Sequence, residues 1–195
     1  MKKMLPLALV ALAFTSCDKE KDEVAEPLAI VHKQINASFE YTAPLQVDVN
    51  SDGKNDLSFG NVLVSDSRGA HNLFYVRPLE HNQVLLNMQG EIAIGNWSAA
   101  LQANEVVQEN QAKGSEWARA TGFLLDLRKP NDANTYYEGP LANTNTLYVG
   151  IRLKEGENYK AGWLKLNYTM GSEKVEVVEA AFHPSASQTL KAGQR

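Results

Sequence analysis

The clearest chemical pattern in the sequence is a run of oxygen-bearing side chains between residues 48 and 56. Such side chains fall at the first, third, fifth and ninth positions, and Gly53 follows the fifth, where the loop must turn sharply. Ca²⁺ is a hard ion that takes roughly six to eight oxygen ligands. The spacing predicts these ligands: Asp48, Asn50, Asp52, the carbonyl of Lys54, and Asp56. The alternative is a metal-free hairpin turn, because Asn, Asp and Gly favour turns in any case.

A second candidate site is Cys17, the only cysteine of the chain, which excludes an intramolecular disulfide. A basic start (MKKM) precedes the apolar residues 5–14 (LPLALVALAF). That segment is too short to cross a bilayer, which takes ~20 apolar residues, and is typical of a signal peptide. The small residues before Cys17 resemble a bacterial lipobox, with Phe14 where leucine is usual. The resemblance implies cleavage before Cys17 and its acylation; ordinary secretion is the alternative.

The chain therefore divides into a lipoprotein signal peptide (1–16), a lipidated cysteine with a charged tether (17–27) and one domain (28–195). Residues 18–23 (DKEKDE) are all charged. They indicate either a solvated spacer or a sorting signal for surface export. We expect the protein in the bacterial cell envelope, anchored through membrane lipid at the outer membrane; retention at the inner membrane stays open.

Other residues with chemical potential are weaker candidates. The four histidines are dispersed and show no metal-ligand spacing, which indicates incidental surface positions: His32, His71, His81 and His183. Tyr136 and Tyr137 lie in a polar segment and are the best candidates for an exposed, glycan-stacking pair. Asp126 and Glu138 would form a glycosidase pair only if the fold brought them together. We predict no catalytic residues.

Composition excludes some functions. The chain of 195 residues is 44% hydrophobic and 22% charged, with a net charge of −4, which is typical of a globular protein. The basic residues form no stripe, so nucleic-acid binding lacks its electrostatic basis.

The pattern from residue 28 onward favours β-strands. In residues 164–168 and 174–177, apolar and polar residues alternate, as in strands with one buried face. Glycine-, aspartate- and proline-containing turns separate the segments. The expected strands cover residues 39–47, 57–64, 73–76, 83–88, 123–127, 146–153, 162–168 and 175–182. The pattern predicts an all-β fold, either an antiparallel β-sandwich or a barrel.

The middle of the chain does not follow this pattern. Residues 96–120 are rich in Ala, Gln and Glu. They indicate a long loop, or one short helix over residues 99–107.

The two ends of the chain resemble a group of secreted bacterial β-sandwich proteins. Those proteins pair an early DxNxDGxxD loop, here residues 48–56, with a late Gly-Trp strand (Gly162, Trp163) and a terminal Ala-Gly (Ala192, Gly193). The early loop also resembles the calcium loops of dockerins and thrombospondin-type repeats. The resemblance implies a jelly-roll-like sandwich with structural calcium and implies little about function.

Two function classes follow. The favoured hypothesis is a non-enzymatic binding or structural module of the envelope, with a glycan or a protein as ligand. The alternative is a carbohydrate-directed enzyme that uses paired carboxylates.

Overall fold

The structure is a computed structural model that describes residues 28–92, 94–108, 114–130, 134–186 and 188–195. Cys17, the signal peptide and the charged tether lie outside the described residues.

The described residues form strands and no helix, which confirms the all-β prediction. The strands are β1 (Val31–Phe39), β2 (Leu45–Val47), β3 (Leu57–Asp66), β4 (Gly69–Pro78), β5 (Gln83–Ile92), β6 (Gly95–Ser98), β7 (Ala100–Leu101), β8 (Val106–Val107), β9 (Ser115–Ala118), β10 (Gly122–Lys129), β11 (Tyr136–Glu138), β12 (Thr146–Glu155), β13 (Asn158–Tyr168), β14 (Val175–Phe182) and β15 (Leu190–Lys191). It follows that no described helix is available to span a membrane.

Thirteen strands form one large sheet, with the order β1-β14-β13-β12-β5-β6-β10-β4-β3-β2. Strands β11, β7 and β9 add to it beside β10, β12 and β5, and all pairs are antiparallel except β6 with β10. The two ends of the order meet, since Lys33 of β1 donates hydrogen bonds to the Asp48 carbonyl and the Ser51 hydroxyl just after β2. The sheet is thus nearly closed and barrel-like, which is compatible with the predicted β-sandwich.

Alternation along the strands builds the main core. In β14, Val175 and Val177 are buried, whereas Glu176 between them is half-buried. Leu164 and Leu166 of β13 enter the same cluster from the neighbouring strand. This is the period-two pattern of a strand that faces the core on one side, as predicted.

A second, smaller core covers the outer face of β13. It is centred on Trp163, which is fully buried, and includes Val107 of β8 and Leu190 of β15. Beside it, the buried carboxylate of Glu179 receives His32 Nε2 and an Arg195 guanidinium nitrogen, both at 2.7 Å. The C-terminal segment is thereby tied to the sheet by apolar packing and by an ion pair.

Two predicted elements are wrong. The helix over residues 99–107 is absent: β7 pairs with β12, β8 pairs with β15, and turns join them. Sheet pairing and burial of Leu101 and Val107 outweigh local helix preference there. The strand over 39–47 is broken by a tight turn, with a bridge from Glu40 to Ala43 between β1 and β2. Strand β1 was not predicted, because residues 32–38 mix polar and apolar side chains.

Candidate functional site

A cavity of about 390 Å³ lies on the outer face of the large sheet, between the β3–β4 hairpin, the β5–β6 hairpin and strands β10 and β11. We call it the His71 pocket. Its apolar lining residues are Val64, Leu73, Ile92, Ile94 and Trp97. Its polar lining residues are Ser65, Asp66, Arg68, His71, Asp126 and Glu138. A concave surface with an apolar wall and a few converging polar groups is the usual form of a ligand site.

Strand register brings the polar residues together. In β10, Leu125 and Leu127 belong to the main core, so Asp126 between them faces outward. Asp126 is paired with Leu73 on β4 and with Glu138 on β11. Three strands therefore place an imidazole and two carboxylates on one face, although the chain separates His71 from Asp126 by 55 residues.

His71 is the centre of this group. Its side chain is only 3% exposed, and both ring nitrogens have carboxylate partners. Nδ1 lies 2.7 Å from Asp126 Oδ2, and Nε2 lies 3.0 Å from Asp66 Oδ1. Asp66 ends β3 at the hairpin turn and also accepts hydrogen bonds from the Arg68 amide and guanidinium, at 2.7 and 3.0 Å. The expectation that His71 is an incidental surface residue is wrong.

The protonation of the group follows from these contacts. Burial by itself lowers the pKa of His71, but the hydrogen bonds with Asp126 and Asp66 outweigh it, and the pKa is raised. Burial raises the pKa of Asp126, and the His71 contact offsets only part of that rise. Hydrogen bonds from the Arg68 amide, His71 and the Arg68 side chain lower the pKa of Asp66. The His71–Asp126 pair thus holds a proton more firmly than a free histidine does, while Asp66 remains an anion.

Glu138 forms the opposite part of the rim. Its side chain is 46% exposed and accepts a hydrogen bond from Arg128 at 3.1 Å. The Arg128 guanidinium also lies 4.8 Å from the centre of the Tyr136 ring. Tyr136 is exposed, whereas Tyr137 packs against the main core beside Tyr168. Because successive residues of a strand face opposite sides, the two tyrosines do not form one platform.

Trp97 forms part of the apolar wall, and two glycines make room for its indole. A β-carbon on Gly139 would lie 2.4 Å from Trp97 Cζ3, and one on Gly90 would lie 2.9 Å from Cδ1. Gly139 also has a φ of +104°, which disfavours other residues. Two successive residues therefore shape the pocket: Glu138 supplies a carboxylate at the rim, and Gly139 leaves room for the Trp97 indole.

His71 and Asp126 are poorly placed to exchange a proton with a bound ligand. A general base needs a free nitrogen or oxygen within reach of the substrate. Both nitrogens of His71 are engaged, and Asp126 Oδ1 is buried from solvent with no hydrogen-bond partner. The Ser65 hydroxyl donates to the Gly69 carbonyl at 3.4 Å and makes no hydrogen bond to the imidazole.

The predicted calcium loop joins β2 to β3, and its first three ligand residues lie together. Asp48 accepts the amides of Ser51 and Gly53 at 2.6 and 3.0 Å. Asn50 accepts the amide of Asp52 at 3.0 Å and donates from its own side chain to the Asp52 carboxylate at 3.2 Å. In the exposed part of the loop, amide groups thus donate to the side-chain oxygen atoms of the same loop.

The other two predicted ligands are placed differently. Asp56 is buried and accepts the Val49 amide at 2.7 Å and the Asn82 side-chain amide at 2.9 Å. Burial raises its pKa, although these hydrogen bonds oppose the rise. Lys54 is exposed, and its amide donates to Asp52 at 2.9 Å. Among the residues that the structure describes, no group of three or more His, Cys, Asp or Glu residues forms a metal cluster.

Sequence reasoning missed Asp66 and His71. A tight turn at residues 67–69 brings Asp66 close to His71 on the facing strand. The Ser-Arg-Gly sequence of this turn is the local signal that could have placed these two residues together. No local signal pointed to Asp126 as their partner.

Comparisons with known proteins find no match: no family model, no curated protein and no solved structure matches this chain.

Proposed function

We propose that this chain is a lipid-anchored lipoprotein of the bacterial cell envelope whose β-sandwich domain binds a glycan in the His71 pocket without catalysing a reaction. The observation that carries the proposal is the combination of an aromatic and aliphatic wall around Trp97 with a facing rim of carboxylate and guanidinium groups.

Sugars present two kinds of surface, and the pocket matches both. The C–H faces of a sugar ring are apolar, and an indole or an isoleucine side chain packs against them. The hydroxyl groups donate to carboxylates and accept from guanidinium groups. Asp66, Arg68 and Glu138 are 41%, 53% and 46% exposed at the side chain, so a ligand at the rim reaches them.

One observation favours the enzymatic alternative. Asp126 and Glu138 are directly opposite each other on β10 and β11, and burial raises the pKa of Asp126, as in a general acid. Two contacts weigh against it. Asp126 Oδ2 is bonded to His71, and Oδ1 is buried from solvent, so neither oxygen is free to protonate a substrate.

The test is an array printed with neutral hexose and N-acetylhexosamine oligosaccharides, probed with the full-length protein. We expect binding that falls at least tenfold (about 1.4 kcal/mol) in Trp97→Ala. Trp117→Ala is the matched control, because Trp117 lies outside the pocket and stacks on Arg152. Loss of binding in both variants to the same extent, or no binding by the wild type, contradicts the proposal. Release of reducing sugar that stops in Asp126→Asn supports the enzyme instead.

The lipid anchor is proposed from the apolar residues 5–14 followed by Cys17. Several acyl chains on the processed amino terminus hold a protein stably in a membrane, which one chain does not. Residues 18–27 then form the tether between Cys17 and the domain.

Replacement of Cys17 by serine should therefore release the protein from the membrane. We expect most of the Cys17→Ser protein in the soluble fraction after cell fractionation, and wild type in the membrane fraction. Ser16→Ala is a control that keeps a small residue before the cysteine. Equal membrane retention of Cys17→Ser and wild type would refute lipid anchoring.

We further propose that the 48–56 loop binds a structural calcium ion through Asp48, Asn50, Asp52 and the Lys54 carbonyl. The donors are all oxygen atoms, as calcium prefers, and a carboxylate oxygen that accepts an amide keeps a second lone pair. Asp56 supports the loop from inside through the Val49 amide and also lies near enough to Asp52 for the two charges to interact. A bound ion would hold together the oxygens that the loop already gathers.

Calcium should raise the melting temperature by about 5–10 °C at a concentration near one hundred times its dissociation constant. The reason is that the ion binds only the folded loop. Asp52→Ala should melt at the same temperature with calcium and with excess chelator, and magnesium should have little effect because it needs a smaller octahedral shell. Thermal unfolding measures this, and identical wild-type curves with calcium and chelator would leave the loop as a metal-free turn.

A further inference from the structure

His71 connects the buried part of the pocket to its exposed rim. Asp126 lies on β10 between core residues and is 5% exposed. Asp66 ends β3, and its side chain is 41% exposed at the rim of the pocket. A single imidazole ring, bonded to both, therefore links the Asp66 carboxylate at the rim to the buried Asp126.

The protonation state of His71 determines whether it can donate hydrogen bonds to both Asp126 and Asp66. A protonated histidine donates from both nitrogens, whereas a neutral one donates from only one. After loss of the proton, one carboxylate faces a nitrogen lone pair. Loss of the hydrogen bond between His71 and Asp126 would be costly. Asp126 Oδ1 has no hydrogen-bond partner among the described residues, and burial penalises an unpaired charge. Asp66 can lose its hydrogen bond to His71 at less cost, because the Arg68 guanidinium and water still satisfy it.

We propose that ligand binding in the His71 pocket is coupled to a proton: protonated His71 clamps the Asp66 carboxylate in place at the rim of the pocket, and loss of that proton releases the Asp66 side chain and weakens binding. The glycan part of this inference rests on the proposed function.

The charges around the ring set the direction of the coupling. Asp66 faces His71 from β3, Arg68 from the turn, Asp126 and Arg128 from β10, and Glu138 lines the same pocket from β11. Two carboxylates bond directly to the imidazole and raise its pKa despite burial. The clamp is therefore complete below the ordinary histidine pKa of about 6.5 and is lost as the pH rises through the higher value in the folded protein.

The clamp is tested by NMR titration of the full-length protein between pH 5 and pH 9. The reporter is the Arg68 amide, which donates to Asp66 Oδ1 at 2.7 Å. We expect this amide and the His71 ring to titrate with one shared midpoint above about 6.5. His71→Gln should abolish the Arg68 titration, whereas His81→Gln, at an exposed position, should not. Asp126→Asn should lower the midpoint by about one pH unit.

Binding is then measured on the same oligosaccharide array at pH 5.5 and pH 8.5. Wild type should bind at least tenfold more weakly at pH 8.5, and His71→Gln should bind equally at both. Should His71→Gln not fold, Asp66→Asn at the exposed rim serves the same purpose. Equal wild-type binding at both pH values overturns the proposal. So does an Arg68 amide whose chemical shift does not change at the His71 midpoint. No glycan binding at either pH, with the shared titration intact, overturns the proposed function and supports the clamp.

Discussion

Replacement of His71 by leucine should lower the free energy of unfolding by about 3–5 kcal/mol, the usual cost of removing one partner of a buried pair. The variant leaves Asp126 in the interior with neither oxygen bonded, because Oδ1 has no partner even in the wild type. Burial already raises the pKa of this carboxyl, so without His71 it should take up a proton more readily. The loss should therefore be larger at pH 7 than at pH 4, as measured by urea unfolding.

The double variant His71→Leu/Asp126→Leu is the control. Replacing a buried charged pair by apolar residues is often neutral or stabilising, whereas breaking it is not. We expect the double variant to regain most of the stability lost in the single one. Additive losses in the two single variants would contradict the view that the two residues act as one buried unit.

Substitution of Gly139 by alanine should cost about 2–5 kcal/mol and should also abolish binding in the His71 pocket. A β-carbon there would lie 2.4 Å from Trp97 Cζ3, and a φ of +104° strains any residue other than glycine. Overpacking costs roughly 1–3 kcal/mol, and backbone strain costs a similar amount. The indole must shift, and the apolar wall shifts with it. Urea unfolding and the oligosaccharide array measure the two effects.

Gly156→Ala is a comparison variant that places alanine at a positive φ without a collision. Gly156 also has a positive φ, +55°, but a β-carbon there meets nothing within 4 Å. We expect the free energy of unfolding of this variant to fall by only about 1 kcal/mol, because the left-handed backbone is its only unfavourable feature. It should also bind on the array like wild type. Gly139→Ala with the stability and binding of Gly156→Ala would show that Gly139 does not position Trp97.

The retention of a buried His71–Asp126 pair is itself informative. Such pairs contribute little net stability, since removing charges from water is costly. Apolar residues in the same positions would serve the fold as well. The pair lies in a pocket, and its one exposed partner, Asp66, lies on the rim. This placement supports a role in ligand binding.

Local sequence determined most of the longer strands of this protein. Alternation predicted β14 at Val175–Phe182 with its observed bounds, and it predicted the interiors of β3, β4, β5, β10, β12 and β13. The Asp, Asn and Gly residues of 48–56 predicted a turn, and the structure has a loop there that is held by side-chain to backbone hydrogen bonds over two to five residues. The lipid anchor at Cys17 and the calcium ion remain predictions.

Only the tertiary structure decided which of these elements are neighbours. Period two tells which face of a strand is buried, but it carries no information on which strand lies beside it. The pocket depends on such pairings: β4 with β10, β10 with β11, and β6 parallel to β10. They bring Asp126 to His71 and Trp97 over Gly139. They also convert residues 99–107 from an expected helix into β7 and β8, because a short segment has too little local helix preference to resist pairing and burial.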